Sequence, residues 1–589
     1  MPETRQCQKC KSKFIIDAQD FEFYKKMKVP APTWCPECRV KRRMGFYNQT
    51  KLYKRKCDGT GKIVFSTISE DYPGKVYSTS YWWSDEWDAK EYAREYNFAK
   101  TFFKQIKELF LDVPRFSRSA VNLINSDYCA GASDLKDCYL VFNSGFSERC
   151  LYSVKLGNTK DSLDCYNVVA SELCSNDFMV KNSYKVHYSQ HCDNCHDIYF
   201  SKDLKNCNNC LACVNLRNEA YCIFNKQYAK KEYQEKIKEF NLGSNTTKEE
   251  FEKQLRNFFL KYPVKYLVGT KNKNVSGNYI NVSKNVKQSD HISNAEDCKY
   301  CYSYHENVKD SYDCTLFGDG AELMYDSAVC GLGAANLKFC YHCYSSDSNL
   351  EYCIECMSSS DCFGCVGLRK KQYCILNKQY TKEEYFKMVE RIKKHMDEIP
   401  YIDKNGNEYK YGEFFPSELS PFAYNETIAQ EYFPLTKEES KKQGYRWKDP
   451  EKKDYQTTLE AKNLPDNIKD VDDSILKEVI QCKTVEDDKQ INQSAPGGSV
   501  KQILTDKTGC TTAFKIIPKE LEFYKKMNIP LPRYCPNCRH HERLKNRNHL
   551  KLYKRTCMKE GCDVEFETTY IPEQKSIVYC EKCYNKEVA

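Results

Sequence analysis

Two cysteine pairs, Cys7/Cys10 and Cys35/Cys38, stand in the spacing C-x2-C-x24-C-x2-C, and the second pair recurs 500 residues later. There Cys535-Pro536-Asn537-Cys538-Arg539 repeats Cys35-Pro36-Glu37-Cys38-Arg39 with one change. Four thiolates in two close pairs are the ligand set of a tetrahedral, redox-inert zinc ion, so this spacing predicts a metal-centred fold at the ends of the chain. The proline after the first cysteine of each second pair suits the first position of a helix, where a missing N–H costs nothing, and a helix N-terminus favours thiolate charge. A cysteine knuckle facing a helix start is the expected local fold. The copies run on through FEFYKKM (Phe21 to Met27) and LEFYKKM, through Pro30/Pro32 and Pro530/Pro532, and through KLYKR at Lys51 to Arg55 and Lys551 to Arg555.

The C-terminal copy departs from the first at its knuckle. Cys510 matches Cys10, but Lys507 stands where Cys7 would be matched, and the nearest upstream thiol is Cys482. Between them lies a polar insertion with SAPGGS (Ser494 to Ser499), composed like a flexible linker. Either the insertion splits the knuckle and Cys482 is the fourth ligand beside Cys510, Cys535 and Cys538, or water completes a three-thiolate site. Downstream, Cys557, Cys562, Cys580 and Cys583 form another full set. In the N-terminal copy only Cys57 remains, with Gly61, Ser78 and Tyr81 at the other three places. One thiol cannot hold a structural ion, so that ribbon is expected to survive by packing Tyr81, Trp82, Trp83 and Trp87.

The pattern C-x2-C-x3-F, then E-F-Y, then P-x2-C-x2-C-R with basic residues after it, resembles a treble-clef zinc-ribbon module of uncharacterised bacterial proteins. The whole chain is similar to long cysteine-rich zinc-ribbon proteins from candidate-phyla bacteria. The resemblance implies zinc as cofactor and brings no activity with it.

Between the ends, from about Ser117 to Cys222, short units of 10 to 14 residues each carry a Cys/Tyr/Phe cluster separated by Asn, Ser, Asp and Gly. This block ends in CVNLRNEAYCIFNKQY, and a second block ends in CVGLRKKQYCILNKQY, displaced by 152 residues. Each block, 117–228 and 275–380, holds 11 cysteines. Units this short cannot bury a face alone and must stack, and they are too short for paired helices, so each block is expected to be a β-solenoid. Two units per coil would give coils of about 22 to 24 residues. The central cysteines, several in C-x2-C spacing, fit three readings: a ladder of small core side chains, additional zinc, or an iron-sulfur cluster.

The expected fold is therefore mixed and β-rich: duplicated β-solenoid-like blocks with helical caps, flanked by N- and C-terminal treble-clef zinc ribbons. Its parts are a zinc ribbon at 1–60, a degenerate second ribbon plus helix at 61–116 (the helix over 85–113), and block 1. A helical cap at 229–274, block 2 and a helical, irregular segment at 381–480 follow. A flexible insertion at 481–509 and zinc ribbons at 510–556 and 557–589 complete the chain. The absence of an apolar run of ~18 residues argues against a membrane span. No apolar leader follows Met1, and 35 cysteines then suit a reducing cytoplasm with zinc or free thiols rather than disulfides.

Charge suggests a partner. Residues 1–60 carry +9 and residues 501–589 carry +7, which leaves a mildly acidic middle. Arg39, Lys41, Arg42, Arg43, Lys54 and Arg55, with Arg539, Arg543, Lys545, Arg547, Lys554 and Arg555, exceed what a doubly negative Zn(Cys)4 centre needs nearby. They point to nucleic acid held through its phosphates, and Phe46, Tyr47, Tyr53 and Tyr553 tilt that expectation toward RNA or single strands. The alternative is a protein-interaction scaffold built on the repeat blocks, with purely structural zinc. No Walker A, Rossmann fingerprint or nucleophile elbow occurs, so an enzyme is not expected.

Overall fold

The computed structural model describes residues 1–449, 456–493 and 503–588. Both repeat blocks are β-solenoids of parallel strands, and the coil is one repeat, not two. In block 1 each strand pairs with the next at a register of 12 residues, as in Val154↔Tyr166 and Tyr166↔Phe178. Block 2 uses 12 or 13, as in Ser360↔Gln372 and Glu322↔Ala335. The reason is backbone chirality. Every third residue takes a left-handed φ, for example Asn158 (49°), Asp161 (44°), Asp164 (57°), Asn167 (55°) and Ala170 (49°), so the chain turns a corner every three residues and closes a coil in 12. Asn and Asp visit this region most readily among residues with a side chain, which is why they recur between the aromatic and cysteine positions.

The same period sends every third side chain inward. One interior column reads Cys129, Val141, Ser153, Cys165, Asp177, Ser189, Ser201, Cys213, all buried. Each inward residue brings a backbone N–H with it, and buried N–H groups must find acceptors. Serine hydroxyls supply them one coil apart: Ser153 Oγ accepts from Cys165 N at 2.9 Å, and Ser201 Oγ from Cys213 N at 3.0 Å. Cysteine thiols donate to carbonyls in the same way, Cys340 to Lys338 O at 3.3 Å and to Leu350 O at 3.4 Å. Burial pushes the Asp347 carboxyl up to about 9, so it sits in the core as a neutral acid accepting from Ser359 N. The central cysteines are thus a core ladder of small, weakly polar side chains.

His187, buried beside Tyr199 on the outer face of the coil, gives block 1 a pH limit. The ring is fully buried, hydrogen-bonded to Ser175 Oγ at 2.7 Å, and burial lowers its pKa from 6.5 to about 3. The native state then refuses a proton that the unfolded chain accepts, so stability is complete above pH 6.5 and falls as pH drops toward 3. The slope is about 1.4 kcal/mol per pH unit. Acid also protonates cysteine ligands, so the quantity to read is a difference. Between pH 7 and 4.5 a His187→Gln variant should lose about 2 kcal/mol less stability than the natural protein in urea titrations; equal losses would deny His187 this role.

Each solenoid ends by reversal of its last strand. Ala220–Ile223 pairs antiparallel with Lys226–Gln227, and Gln372–Ile375 with Lys378–Gln379. Helices Lys230–Glu239 and Lys382–Glu398 follow. The ribbons pack reciprocally: the N-terminal helix Pro36–Met44 lies on block 2, the C-terminal helix Pro536–Leu544 on block 1. The strand entering each block pairs with the opposite choice of ribbon, Val76–Tyr77 with Arg115–Phe116 before block 1 and Val578–Tyr579 with Val264–Lys265 before block 2.

Three segments differ from expectation. Helix over 85–113 shrinks to a 3-10 turn at Ala89–Tyr92 and a helix at Phe102–Asp112, because the chain between them leaves the helical path to bond block 2, Arg94 N donating to Leu376 O at 3.0 Å, and then turns at 97–100. The cap after block 1 is two helices, Lys230–Glu239 and Asn245–Phe259. The polar insertion is helical at Lys483–Gln493 and Ile503–Thr508, where Asp488 accepts from the N–H groups of Leu504 and Thr505 at 2.9 Å each; Ser494 to Ser499 lie outside the described residues.

Candidate metal centres

Three sets of four cysteines converge, each with all sulfurs within 4.8 Å of one another: Cys7, Cys10, Cys35, Cys38; Cys482, Cys510, Cys535, Cys538; and Cys557, Cys562, Cys580, Cys583. Each is built alike. In the first, strands Glu3–Gln6 and Lys13–Ile16 form a hairpin whose tip carries Cys7 and Cys10, with Lys11 at φ 63° closing the knuckle. Cys35 is the N-cap of the Pro36–Met44 helix with proline in its first turn, which aims both second-pair sulfurs at the knuckle. A tetrahedron with metal–sulfur bonds of ~2.3 Å has sulfur–sulfur edges of about 3.8 Å. The sulfurs stand 3.7 Å apart for Cys10/Cys35, 3.9 Å for Cys510/Cys535 and 4.0 Å for Cys562/Cys580.

Cys482 fills the fourth place of the second set. Ile480–Gln481 pairs antiparallel with Ala513–Phe514, so the 483–509 insertion sits inside a hairpin whose two arms still meet, and Cys535 N donates to Cys482 Sγ at 3.2 Å. Thr484 and Thr508 hydroxyls reach Cys538 Sγ at 3.1 and 3.4 Å. These two threonines escape a sequence reading because the insertion carries no counterpart in the first ribbon. Hydrogen bonds from Cys35 and then Cys38 hold the Cys7 thiol far below its ordinary value, and those from Cys482, Cys510 and Cys538 do the same for Cys535. The same crowding pushes the Cys35 and Cys38 thiols up in the first set and the Cys510 and Cys538 thiols up in the second, a competition between close sulfurs that a bound cation would relieve.

The degenerate ribbon keeps the hairpin, Tyr53–Lys56 with Ile63–Ser66, without a ligand set. Cys57 Sγ accepts from Ser78 N at 3.1 Å, and a side chain at Gly59 would meet the Tyr81 ring at 2.4 Å, so the tyrosine occupies the space over the knuckle. Trp82 and Trp87 are buried and bonded through their ring N–H groups to Pro114 O and Trp82 O. Trp83 packs edge-to-face on Trp82 at 5.0 Å while remaining 47% exposed. Among the described residues no central cysteines form such a cluster.

Most arginines of the basic runs are turned inward onto partners within the chain. Arg39 and Arg43 both bind Asp313, Arg43 also Asp326, and Arg42 spans Asp326 (3.1 Å) and Glu413 (3.0 Å); all six side chains are at most 5% exposed. At the other end Arg539 binds Asp164 (3.1 Å) and Glu520 (3.0 Å), and Arg543 binds Asp164 at 3.0 Å. Arg547 stacks on Tyr432 at 3.5 Å and donates to Glu431 O, while Arg55 donates to Ser69 O. Lys41 donates to Gln443, and Arg555 to Ile571 O. Of the twelve positions, Lys54, Lys545 and Lys554 remain exposed. Phe46 is buried, Tyr47 bonds Asn143 at 2.6 Å and Tyr53 bonds Glu426 at 2.6 Å. Arg39, Arg42, Arg43, Arg539 and Arg543, expected at phosphates, instead hold the ribbon helices on the solenoids, while Arg55 and Arg555 are bonded within their own ribbons and Lys41, Tyr53 and Arg547 to the 426–443 segment. Asp164 and Asp313, which receive the arginines, look in the sequence like two more turn residues.

No protein-family model matches the chain, and no curated protein matches it. Among solved structures, a putative acetyltransferase from Desulfovibrio desulfuricans G20 aligns over 42% of this chain and 63% of its own length, at 11% identity and a TM-score of 0.10. A likeness at that level carries no argument about fold or activity. No helix among the described residues is long and apolar enough to cross a membrane.

Proposed function

We propose that the protein is a non-catalytic, zinc-held scaffold, in which zinc-ribbon modules of treble-clef type clamp two β-solenoids into one body. The observation that carries this reading is the fate of the ribbon arginines, spent on Asp164, Asp313, Asp326, Glu413 and Glu520 and thereby withdrawn from any external polyanion. The ligand sets support it too, since four sulfurs leave no open coordination position for water or substrate. Two expected results follow. Metal analysis of the purified protein should give three zinc ions per chain and no iron; eight or more zincs, or charge-transfer absorption near ~400 nm, would mean that the solenoid cysteines also bind metal. Titration with mixed RNA and DNA at ~50 mM salt should show no binding that weakens as salt rises, whereas salt-dependent binding would restore the nucleic-acid reading through the exposed lysines.

A further inference from the structure

The two solenoids end in the same hairpin, but an extended strap crosses only the second; at the first, the Phe224 ring packs on Phe251 and Phe258 of the Asn245–Phe259 helix, and among the described residues no strap lies over the hairpin itself. On block 2 the chain's own residues 89–98 lie between the terminal hairpin and the Lys382–Glu398 helix. Arg94 N donates to Leu376 O at 3.0 Å, Asn377 Nδ2 donates to Ala89 O at 2.9 Å, and Lys378 pairs with Glu95. Tyr96 and Phe98 bracket His395 of the helix. Leu376 and Asn377 are completely buried beneath this strap.

Block 1 presents the same surface at the positions displaced by 152 residues: Phe224 for Leu376, Asn225 for Asn377, Lys226 for Lys378 and Tyr228 for Tyr380. Here the hairpin and the Lys230–Glu239 helix bound a groove of about 410 Å³ lined by Ile223, Phe224, Lys226, Tyr228, Lys236, Glu239 and Phe240. Among the described residues no backbone N–H donates to Phe224 O, and neither Lys226 nor Lys236 has a carboxylate partner; both ammonium groups sit over the Tyr228 ring, at 5.2 and 5.3 Å. Asn225 is only part-buried and Lys226 is exposed. The groove thus offers a backbone acceptor, aromatic walls and two cations against the single carboxylate of Glu239, a net positive lining that corresponds to what block 2 satisfies with Arg94 N–H, Tyr96 and Glu95.

We infer that this groove docks an extended peptide segment of a partner protein, bearing a carboxylate flanked by aromatic side chains. The inference rests on the scaffold reading and gives it a surface. The probe is a fluorescein-labelled peptide of residues 88–98, DAKEYAREYNF, added to the full-length protein. It should bind, cross-link to Lys226 or Lys236 rather than Lys378, and lose at least tenfold in affinity against a K226E/K236E variant. The peptide carrying Glu95→Lys should lose as much against the natural protein, a comparison that does not depend on how the variant folds. No binding, or equal binding to the variant, would overturn the inference while leaving the scaffold reading to its own nucleic-acid and zinc tests. A concentration-dependent dimer dissolved by K226E/K236E would also overturn it, by making the occupant a second copy of this chain.

Discussion

Stripping metal from the full-length protein with a strong chelator near neutral pH is expected to unfold the ribbons and leave the solenoids standing. Structural zinc on cysteine ligands supplies an apparent ~10–16 kcal/mol, more than a small hairpin and two short helices retain without it. The solenoids are expected to stand without metal, because their interior is tied by serine and cysteine contacts between adjacent coils. Far-ultraviolet dichroism should therefore keep its β signal while emission from Trp34, buried in the first ribbon, shifts to the red. Single substitutions should divide the same way. Cys35→Ser or Cys482→Ser should each lose one zinc ion and melt a ribbon, whereas Cys57→Ser, whose sulfur accepts hydrogen bonds from Ser78 N and Thr60 and joins no ligand set, should cost about 1 kcal/mol and no zinc. A loss of solenoid signal in step with the metal would contradict this division.

The second large effect is expected at two aspartates. Asp313 neutralises Arg39 and Arg43, and Asp164 neutralises Arg539 and Arg543, with every partner at most 6% exposed. Asp164→Asn or Asp313→Asn leaves two buried guanidinium groups short of a counter-charge, a change that costs about 3–5 kcal/mol. Zinc content should not change, because the ligands keep their own hairpin and helix. What should change is attachment: limited proteolysis should release the ribbon from the affected solenoid, the C-terminal one for Asp164→Asn and the N-terminal one for Asp313→Asn. Adding Arg39→Met and Arg43→Met to Asp313→Asn should recover part of the loss, since removing buried charge together with its partner is far cheaper than orphaning it. Charge reversal at the exposed Lys54 and Lys545 is the control and should stay within ~0.5 kcal/mol of the natural protein. If Asp313→Asn were equally mild, the ribbon would be held by its aromatic contacts, such as Phe23 stacked on Tyr312 at 3.9 Å.

The sequence by itself determined the parts whose chemistry is local. A cysteine pair on a hairpin tip and a second pair at a helix start, with a proline after its first thiol in two of the three sets, define each metal-binding module, because ligand spacing and helix-start geometry act over a few residues. That logic reached even Cys482, since the 500-residue repeat left one thiol missing and one candidate upstream. The short period of the blocks likewise fixed a solenoid, but not its girth. Left-handed corners every three residues halve the coil, and residues such as Phe146, Tyr152 and Phe200, which adopt them only under the constraint of stacking, conceal that period from a residue-by-residue reading. Only the tertiary structure decided what the arginines are for. A Lys/Arg run after a zinc knuckle reads the same whether it faces water or a carboxylate, and Asp164 and Asp313 stand 379 and 270 residues from Arg543 and Arg43. Their pairing depends on each ribbon crossing to the distant solenoid, a choice made by packing that no local pattern records.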